Sequence, residues 1–312
     1  MVTRRQASLG LLCVTLIWGG TFVWMKQALN ALSPEIEEYS RTGVVAILVS
    51  SRFMVALVLL ALISKQARQG LSSKENWIGG LILGGLMLTG FILQMIGLDS
   101  VTPSVSAFLT SLYVIFTALF AIKMSNRKPT RILVLGVIMA TFGAGFIDGP
   151  PHIVWGTGEL LTVACAIFFA LHIIYTDDIT KRMDPLAVAL TSFFVVTIGA
   201  GIIGIIATKE ITTYSFSWKE GVLVPILLLG ILGSLVCIVA LNALQRYLNP
   251  THAAIIYAFE PVWATIYGLA EGLVVASLWL AIGGITLLMG NIIVEMDATK
   301  NEDHLNEEAG PE

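Results

Sequence analysis

The sequence predicts an all-α integral membrane protein with ten transmembrane helices arranged as two inverted five-helix repeats. Three observations lead there: an excess of apolar residues, charges spaced so that apolar runs of membrane-crossing length lie between them, and a self-similarity between the two halves. Of the 312 residues, 56% are hydrophobic and 12% charged, with a mean hydropathy of +0.85. That is more apolar surface than one aqueous core can hide, so lipid is the solvent for much of it.

The elements follow from the charges. A helix crosses the hydrocarbon core with about 20 mostly apolar residues. Charge-free runs cover 6–25, 76–98, 100–122, 132–147, 160–176, 185–208, 221–245 and 272–294. Two further runs, 42–64 and 247–270, hold one charge each, Arg52 and Glu260, and bring the count to ten. The first run follows Arg4 and Arg5 as a signal peptide would, but it is long, contains Trp18 and Trp24 and lacks a small-x-small cleavage site. It reads as a retained helix. Pro103 and Pro250 suit the first turns of helices four and nine, where a missing N–H is harmless. Asp177, Asp178, Lys181, Arg182 and Asp184 read as a loop after the sixth run.

With both termini in the cytoplasm, the inner segments hold Arg4, Arg5, Lys65, Arg68, Lys74, Lys123, Arg127, Lys128, Arg131, Lys181, Arg182, Arg246 and Lys300, and the outer ones only Lys26, Arg41, Lys209 and Lys219. The positive-inside rule selects that orientation, and an even number of spans agrees. The acidic stretch 295–312 reads as a solvated, disordered tail. A shift of 147 residues carries Pro103 onto Pro250, Ala107 onto Ala254, Gly136 onto Gly283 and Gly143 onto Gly290. Five-helix repeats enter the membrane from opposite sides, which makes them inverted. The predicted units are 1–149, 150–295 and the tail 296–312, with the boundary at the turn-forming Asp148-Gly149-Pro150-Pro151.

Five stretches carry a family resemblance. They are Leu16-Ile17-Trp18-Gly19-Gly20-Thr21-Phe22, Ser51-Arg52-Phe53-Met54-Val55-Ala56, and Leu98-Asp99-Ser100-Val101-Thr102-Pro103-Ser104-Val105-Ser106-Ala107 in the first half. Phe259-Glu260-Pro261-Val262-Trp263-Ala264 and Gly268-Leu269-Ala270-Glu271 follow in the second. In order and spacing they resemble the EamA-type branch of the drug/metabolite transporter superfamily. The chain departs from that pattern between Ser33-Pro34 and Arg52, where it has extra residues including Glu35, Glu37 and Glu38, so the start of helix two is open. The resemblance implies export of amino acids, metabolites or drug-like compounds across a bacterial inner membrane. Related branches exchange nucleotide sugars and sugar phosphates, which is the alternative reading.

Polar residues at bilayer depth point to a cavity. A charge there costs at least about 2.5–3.5 kcal/mol, so Arg52 and Glu260 face a cavity or a protein partner, or snorkel to the interface. In the cavity reading, Arg52 attracts a carboxylate or phosphate, and Glu260 an amine or a coupling proton. Pro261 removes a donor in mid-span and is expected to break the ninth helix, exposing carbonyls of the kind that line pathways. Trp18, Tyr113, His172, Tyr175 and Trp263 are candidate aromatic walls, and Gln94, Asn242 and Gln245 candidate hydrogen-bonding groups; the same residue types also serve interfacial belts and helix contacts. Gly79-Gly80, Gly84-Gly85 and Gly283-Gly284 suit close helix packing.

Other classes fare worse. A net charge of -3 gives no basic footprint for nucleic acid. Cys13, Cys165 and Cys237 form no CxxC pair and read as fillers. There is no GxxxxGK[ST] loop for ATP, no paired acids or nucleophile with a base for an embedded enzyme, and no continuous polar stripe for a channel. The expectation is a multi-pass secondary carrier without cofactor or metal, working as a monomer or homodimer in the bilayer on a small-molecule substrate.

Overall fold

The computed structural model describes residues 2–308 apart from 125–129, 147–149, 151–155, 249–252 and 254–255, with the backbone alone at 145, 294–295 and 297–308. Among the described residues the regular elements are helices. In chain order they are α1 (Arg4–Ala31), α2 (Ser33–Glu38), α3 (Arg41–Ile63), α4 (Lys65–Gly70), α5 (Lys74–Ser100), α6 (Pro103–Thr110), α7 (Tyr113–Met124), α8 (Arg131–Phe146), α9 (Thr157–Arg182) and α10 (Pro185–Thr208). A 3-10 segment, Ile211–Trp218, precedes a composite span made of α11 (Leu223–Leu228), a π-helix (Leu229–Val236), α12 (Cys237–Leu244) and a 3-10 turn (Gln245–Tyr247). The chain closes with α13 (Glu260–Ala270) and α14 (Leu278–Glu308).

Among the described residues, seven stretches are long and apolar enough to cross a membrane: α1, α3, α5, the α6–α7 pair, α9, α10 and Leu223–Tyr247. Shorter apolar helices, Arg131–Ala144 and Leu278–Ile293, join them. Ten unbroken spans are not what the described residues show. The fourth predicted run is interrupted between α6 and α7, and the ninth has a helix of 11 residues starting at Glu260.

Helix starts are set by local chemistry. Thr3 and Gln6 form a reciprocal capping box at α1, and Ser40 caps α3 by accepting the Gly43 N–H at 2.9 Å. This places the start of the second span at Arg41 and leaves the acidic cluster in the short α2. Thr102 caps α6, which begins at Pro103, while Pro250 lies outside the described residues. Asp184 caps α10 by accepting the N–H groups of Leu186 and Ala187, each at 2.9 Å.

Two expectations are corrected. Asp177, Asp178, Lys181 and Arg182 are the last turns of α9, not a loop, because Lys181 pairs with Asp177 at 2.8 Å and Arg182 with Asp178 one helical turn apart. Pro261 sits in the first turn of α13, directly after the expected break in the ninth span, where its missing N–H is harmless. The backbone of α14 stays helical to Glu308, through residues predicted as a disordered tail; Ala298, Lys300, Leu305, Glu307 and Glu308 are strong helix formers with no proline among them. The turn at 148–151 falls mostly outside the described residues.

The halves meet in a reciprocal contact between α8 and α14. A Cβ added to Gly143 would lie 2.6 Å from the Gly283 carbonyl oxygen, and one added to Gly290 would lie 2.7 Å from that of Gly136. The 147-residue shift exchanges these two contacts, as a two-fold relation between repeats produces. Gly80 and Gly84 likewise admit α10 against α5, where Thr191 and Val195 occupy the space of a side chain. Two apolar clusters flank the centre of the molecule, and Trp18 of α1 packs against both.

At one end of the bundle, the end predicted to be outer, polar ties join the helices. The Lys26 ammonium donates to the carbonyls of Leu98 (2.9 Å), Asp99 (2.8 Å) and Val101 (3.0 Å) at the close of α5. Arg41 pairs with Asp99 at 2.7 Å, Lys219 pairs with the buried Glu35, and Gln27 donates to Glu271 at 3.2 Å.

Candidate functional site

A cavity lies where the two clusters meet. α1 contributes Trp18 and Thr21, α3 Arg52, α5 Met87, Phe91 and Gln94, and the α6–α7 break Thr110 and Tyr113. From the second half come Phe169, His172 and Ile173 of α9, Ile238 and Leu241 of α12, and Tyr257 and Glu260 at the break before α13. Both interrupted helices therefore open onto the same space. The 147-residue shift pairs Thr110 with Tyr257, Tyr113 with Glu260, Phe91 with Ile238 and Gln94 with Leu241, so the walls are built from matching positions of the two halves.

Arg52 is 1% exposed. Its guanidinium lies over Phe91 at 4.4 Å and Phe53 at 5.3 Å, Nε donates to Ser234 Oγ at 2.7 Å, and Nη1 approaches Met25 Sδ at 3.7 Å. Aromatic faces and one hydroxyl hold the cation, yet no carboxylate does: the ion pairs among the described residues are Arg41–Asp99, Lys181–Asp177, Arg182–Asp178 and Lys219–Glu35. Glu260 is likewise outside these pairs, with the Tyr113 hydroxyl as its hydrogen-bonding neighbour. A buried cation and a buried carboxyl thus share one cavity without neutralising each other directly. A charge so placed is costly unless a ligand or ion completes it.

Other polar groups face the same space. Gln94 donates to Thr110 at 3.4 Å and His172 Nδ1 contacts Thr176 at 3.4 Å, while Gln94 Oε1 and His172 Nε2 have no partner among the described residues. The Trp18 indole N–H donates to the Gly233 carbonyl at 3.1 Å, and its ring lies 5.6 Å from that of Tyr257. The cavity therefore offers hydrogen-bonding groups of both kinds, one cation, one carboxyl and aromatic walls.

Of the ten residues singled out from sequence, Trp18, Arg52, Gln94, Tyr113, His172 and Glu260 line this cavity. The other four lie elsewhere. Gln245 sits behind the wall, accepting from the Tyr257 hydroxyl at 3.1 Å and donating to the Ile173 carbonyl at 2.8 Å. Asn242 is buried and reaches the Pro185 carbonyl at 3.5 Å. Tyr175 is 43% exposed, and Trp263 packs its stem against Gly19 of α1. Sequence reasoning missed Thr21, Phe91, Thr110, Phe169 and Tyr257. The 147-residue shift points to Tyr257 once Thr110 is placed, but nothing distinguishes Phe91 or Phe169 from other apolar residues. Among the described residues, no cluster of three or more His, Cys, Asp or Glu has a metal-binding arrangement.

Comparison with known proteins adds the family. Two stretches, 5–147 and 156–296, each match the model of the EamA-like transporter family. An uncharacterized transporter from Archaeoglobus fulgidus is 26% identical over 295 residues, covering 95% of this chain and 87% of the relative. A crystal structure of a protein aligns with a TM-score of 0.65 at 17% identity, over 96% of this chain and 100% of that one. At such identity the likeness speaks for the fold alone.

Proposed function

This chain belongs to the EamA-like transporter family, and on that premise we propose that it is a secondary carrier exporting a small polar metabolite, of the amino-acid or drug-like kind, by alternating access. The observation that carries the substrate reading is the pair of buried charges, Arg52 and Glu260, that line one cavity without pairing. A zwitterion completes both: its carboxylate lies toward Arg52 and its ammonium toward Glu260, with aromatic walls around the remainder. In the empty carrier Glu260 takes the coupling proton in place of the ammonium. The repeats 1–149 and 150–295 rock about this centre as inverted five-helix units of a ten-span bundle. Both termini lie in the cytoplasm, and the membrane is a bacterial inner membrane.

Purified protein in liposomes tests this with three matched probes: L-leucine, its deaminated relative 4-methylpentanoate and its decarboxylated relative isoamylamine. Saturable counterflow of leucine, at least about tenfold above either relative, is the expected result, since each lost charge contact is worth about 1.4 kcal/mol or more. Glu260→Gln and Arg52→Ala insert normally and lower leucine counterflow by a similar factor. Undiminished counterflow in both variants removes the two residues from the mechanism.

A further inference from the structure

The eighth span departs from α geometry where it meets the buried cation. Residues Leu229–Val236 form a π-helix, whereas α5, which the 147-residue shift makes its counterpart in the first half, is α-helical from Lys74 to Ser100. π segments are rare, and their wider turn moves backbone groups out of the usual ladder. Here one backbone carbonyl and one side-chain hydroxyl of the segment meet the cavity wall. The Gly233 carbonyl accepts the Trp18 indole N–H at 3.1 Å, and the next residue, Ser234, is fully buried and accepts Arg52 Nε at 2.7 Å. Gly230 and Gly233 allow the approach: a Cβ on Gly230 would lie 2.8 Å from the Arg52 carbonyl oxygen, and one on Gly233 would lie 2.7 Å from Thr21 and 3.3 Å from Arg52 Nη2. One short segment of the second half therefore braces Trp18, Thr21 and Arg52, the residues with which α1 and α3 line the cavity.

We propose that Ser234, presented by this π-helix, is a positioning residue for transport: it fixes the rotation of the Arg52 guanidinium so that Nη2 is left for an anionic group of the substrate. The Phe91 and Phe53 rings beneath Arg52 Cζ attract the cation but offer no hydrogen bond that would set its in-plane orientation. Nε is spent on Ser234 and Nη1 lies against Met25 Sδ, so Nη2 is the nitrogen without a hydrogen bond among the described residues. The remaining nitrogen of a planar guanidinium meets a carboxylate oxygen only when the group's in-plane orientation is set, and Ser234 supplies that constraint. This inference rests on the assignment of Arg52 to the substrate carboxylate.

The test has one arm that needs no substrate. Full-length protein carrying 15N-arginine is placed in nanodiscs, and the Arg52 Nε–H signal is identified by its loss in Arg52→Lys. Its exchange with water is slow in the parent, at least about tenfold faster in Ser234→Ala, and slow again in Ser234→Thr, which keeps the hydroxyl. In liposomes, Ser234→Ala raises the KM for L-leucine about tenfold, equivalent to about 1.4 kcal/mol, with Vmax within twofold of the parent, and Ser234→Thr restores it. A purely packing role lowers Vmax with the amount of folded carrier and leaves KM alone, so that pattern overturns the proposal, as does unchanged exchange in Ser234→Ala. If the parent does not transport leucine, the zwitterion reading has failed, and the exchange arm still decides whether Ser234 holds Arg52.

Discussion

Replacing Lys26 with methionine keeps an unbranched side chain of similar length and removes only the ammonium. In the structure that ammonium is the donor to three carbonyls, Leu98, Asp99 and Val101, at 2.8–3.0 Å. They lie at the C-terminal end of α5, where carbonyls lack helical partners and a positive charge also complements the helix dipole. Hydrogen bonds to a charged donor contribute about 1.5–3 kcal/mol each. The site is only partly buried and water replaces most of what is lost, so the three bonds together are worth about 2 kcal/mol, no more than one such bond in full burial. For a chain of 312 residues that lowers the apparent melting temperature by about 3 °C. Melting is followed by tryptophan fluorescence in nanodiscs, with two comparisons. Lys26→Arg retains most of the stability. Arg41→Met removes an ion pair whose arginine is 48% exposed, and such pairs are worth about 0–1 kcal/mol, so its melting falls by less than half as much. A Lys26→Met protein that melts within a degree of the parent, or an Arg41→Met protein that is the less stable of the two, refutes this account of how the end of the bundle is tied.

Three glycine substitutions separate close approach from mere helix propensity. Gly143→Ala and Gly290→Ala drive a Cβ into backbone and each destabilise by about 1–3 kcal/mol, whereas Gly85→Ala, which meets nothing within 4 Å, is neutral or stabilises by up to about 1 kcal/mol; melting in nanodiscs ranks them. Asn291→Ala removes the bonds from α14 to the Ser111 carbonyl (3.3 Å) and hydroxyl (3.0 Å) at the α6–α7 break, with an expected loss of about 1–2 kcal/mol in the same assay. Tyr175→Ala leaves leucine counterflow unchanged, because that exposed ring lies outside the cavity.

Much of this protein was legible before any coordinates. The spacing of charges located the apolar helices, because a single buried charge is expensive enough that long charge-free runs have few other uses. The same cost marked Arg52 and Glu260 as residues in need of a protein environment. Trp18, Gln94, Tyr113 and His172 also stand on the cavity wall, but their residue types alone could not separate them from Tyr175, Asn242, Gln245 and Trp263, which do not. Whether an indole or an amide faces a cavity, a neighbouring helix or lipid depends on helix rotation. In a bundle that is apolar on every side, periodicity carries little information about rotation.

Composition and charge spacing by themselves determined that the chain lives in a bilayer and roughly where its apolar runs lie, and the residues matched by the 147-residue shift showed that two half-chains share a pattern. Only the tertiary structure decided that both interrupted helices open on one cavity, that a π-helix from the second half braces Arg52 of the first, and that Gln245 stands behind Tyr257. The reason is physical. Insertion into lipid is a local transfer cost, summed residue by residue along a run. The meeting of Ser234 with Arg52, by contrast, is set by how helices pack against one another, to which residues far apart in the chain all contribute.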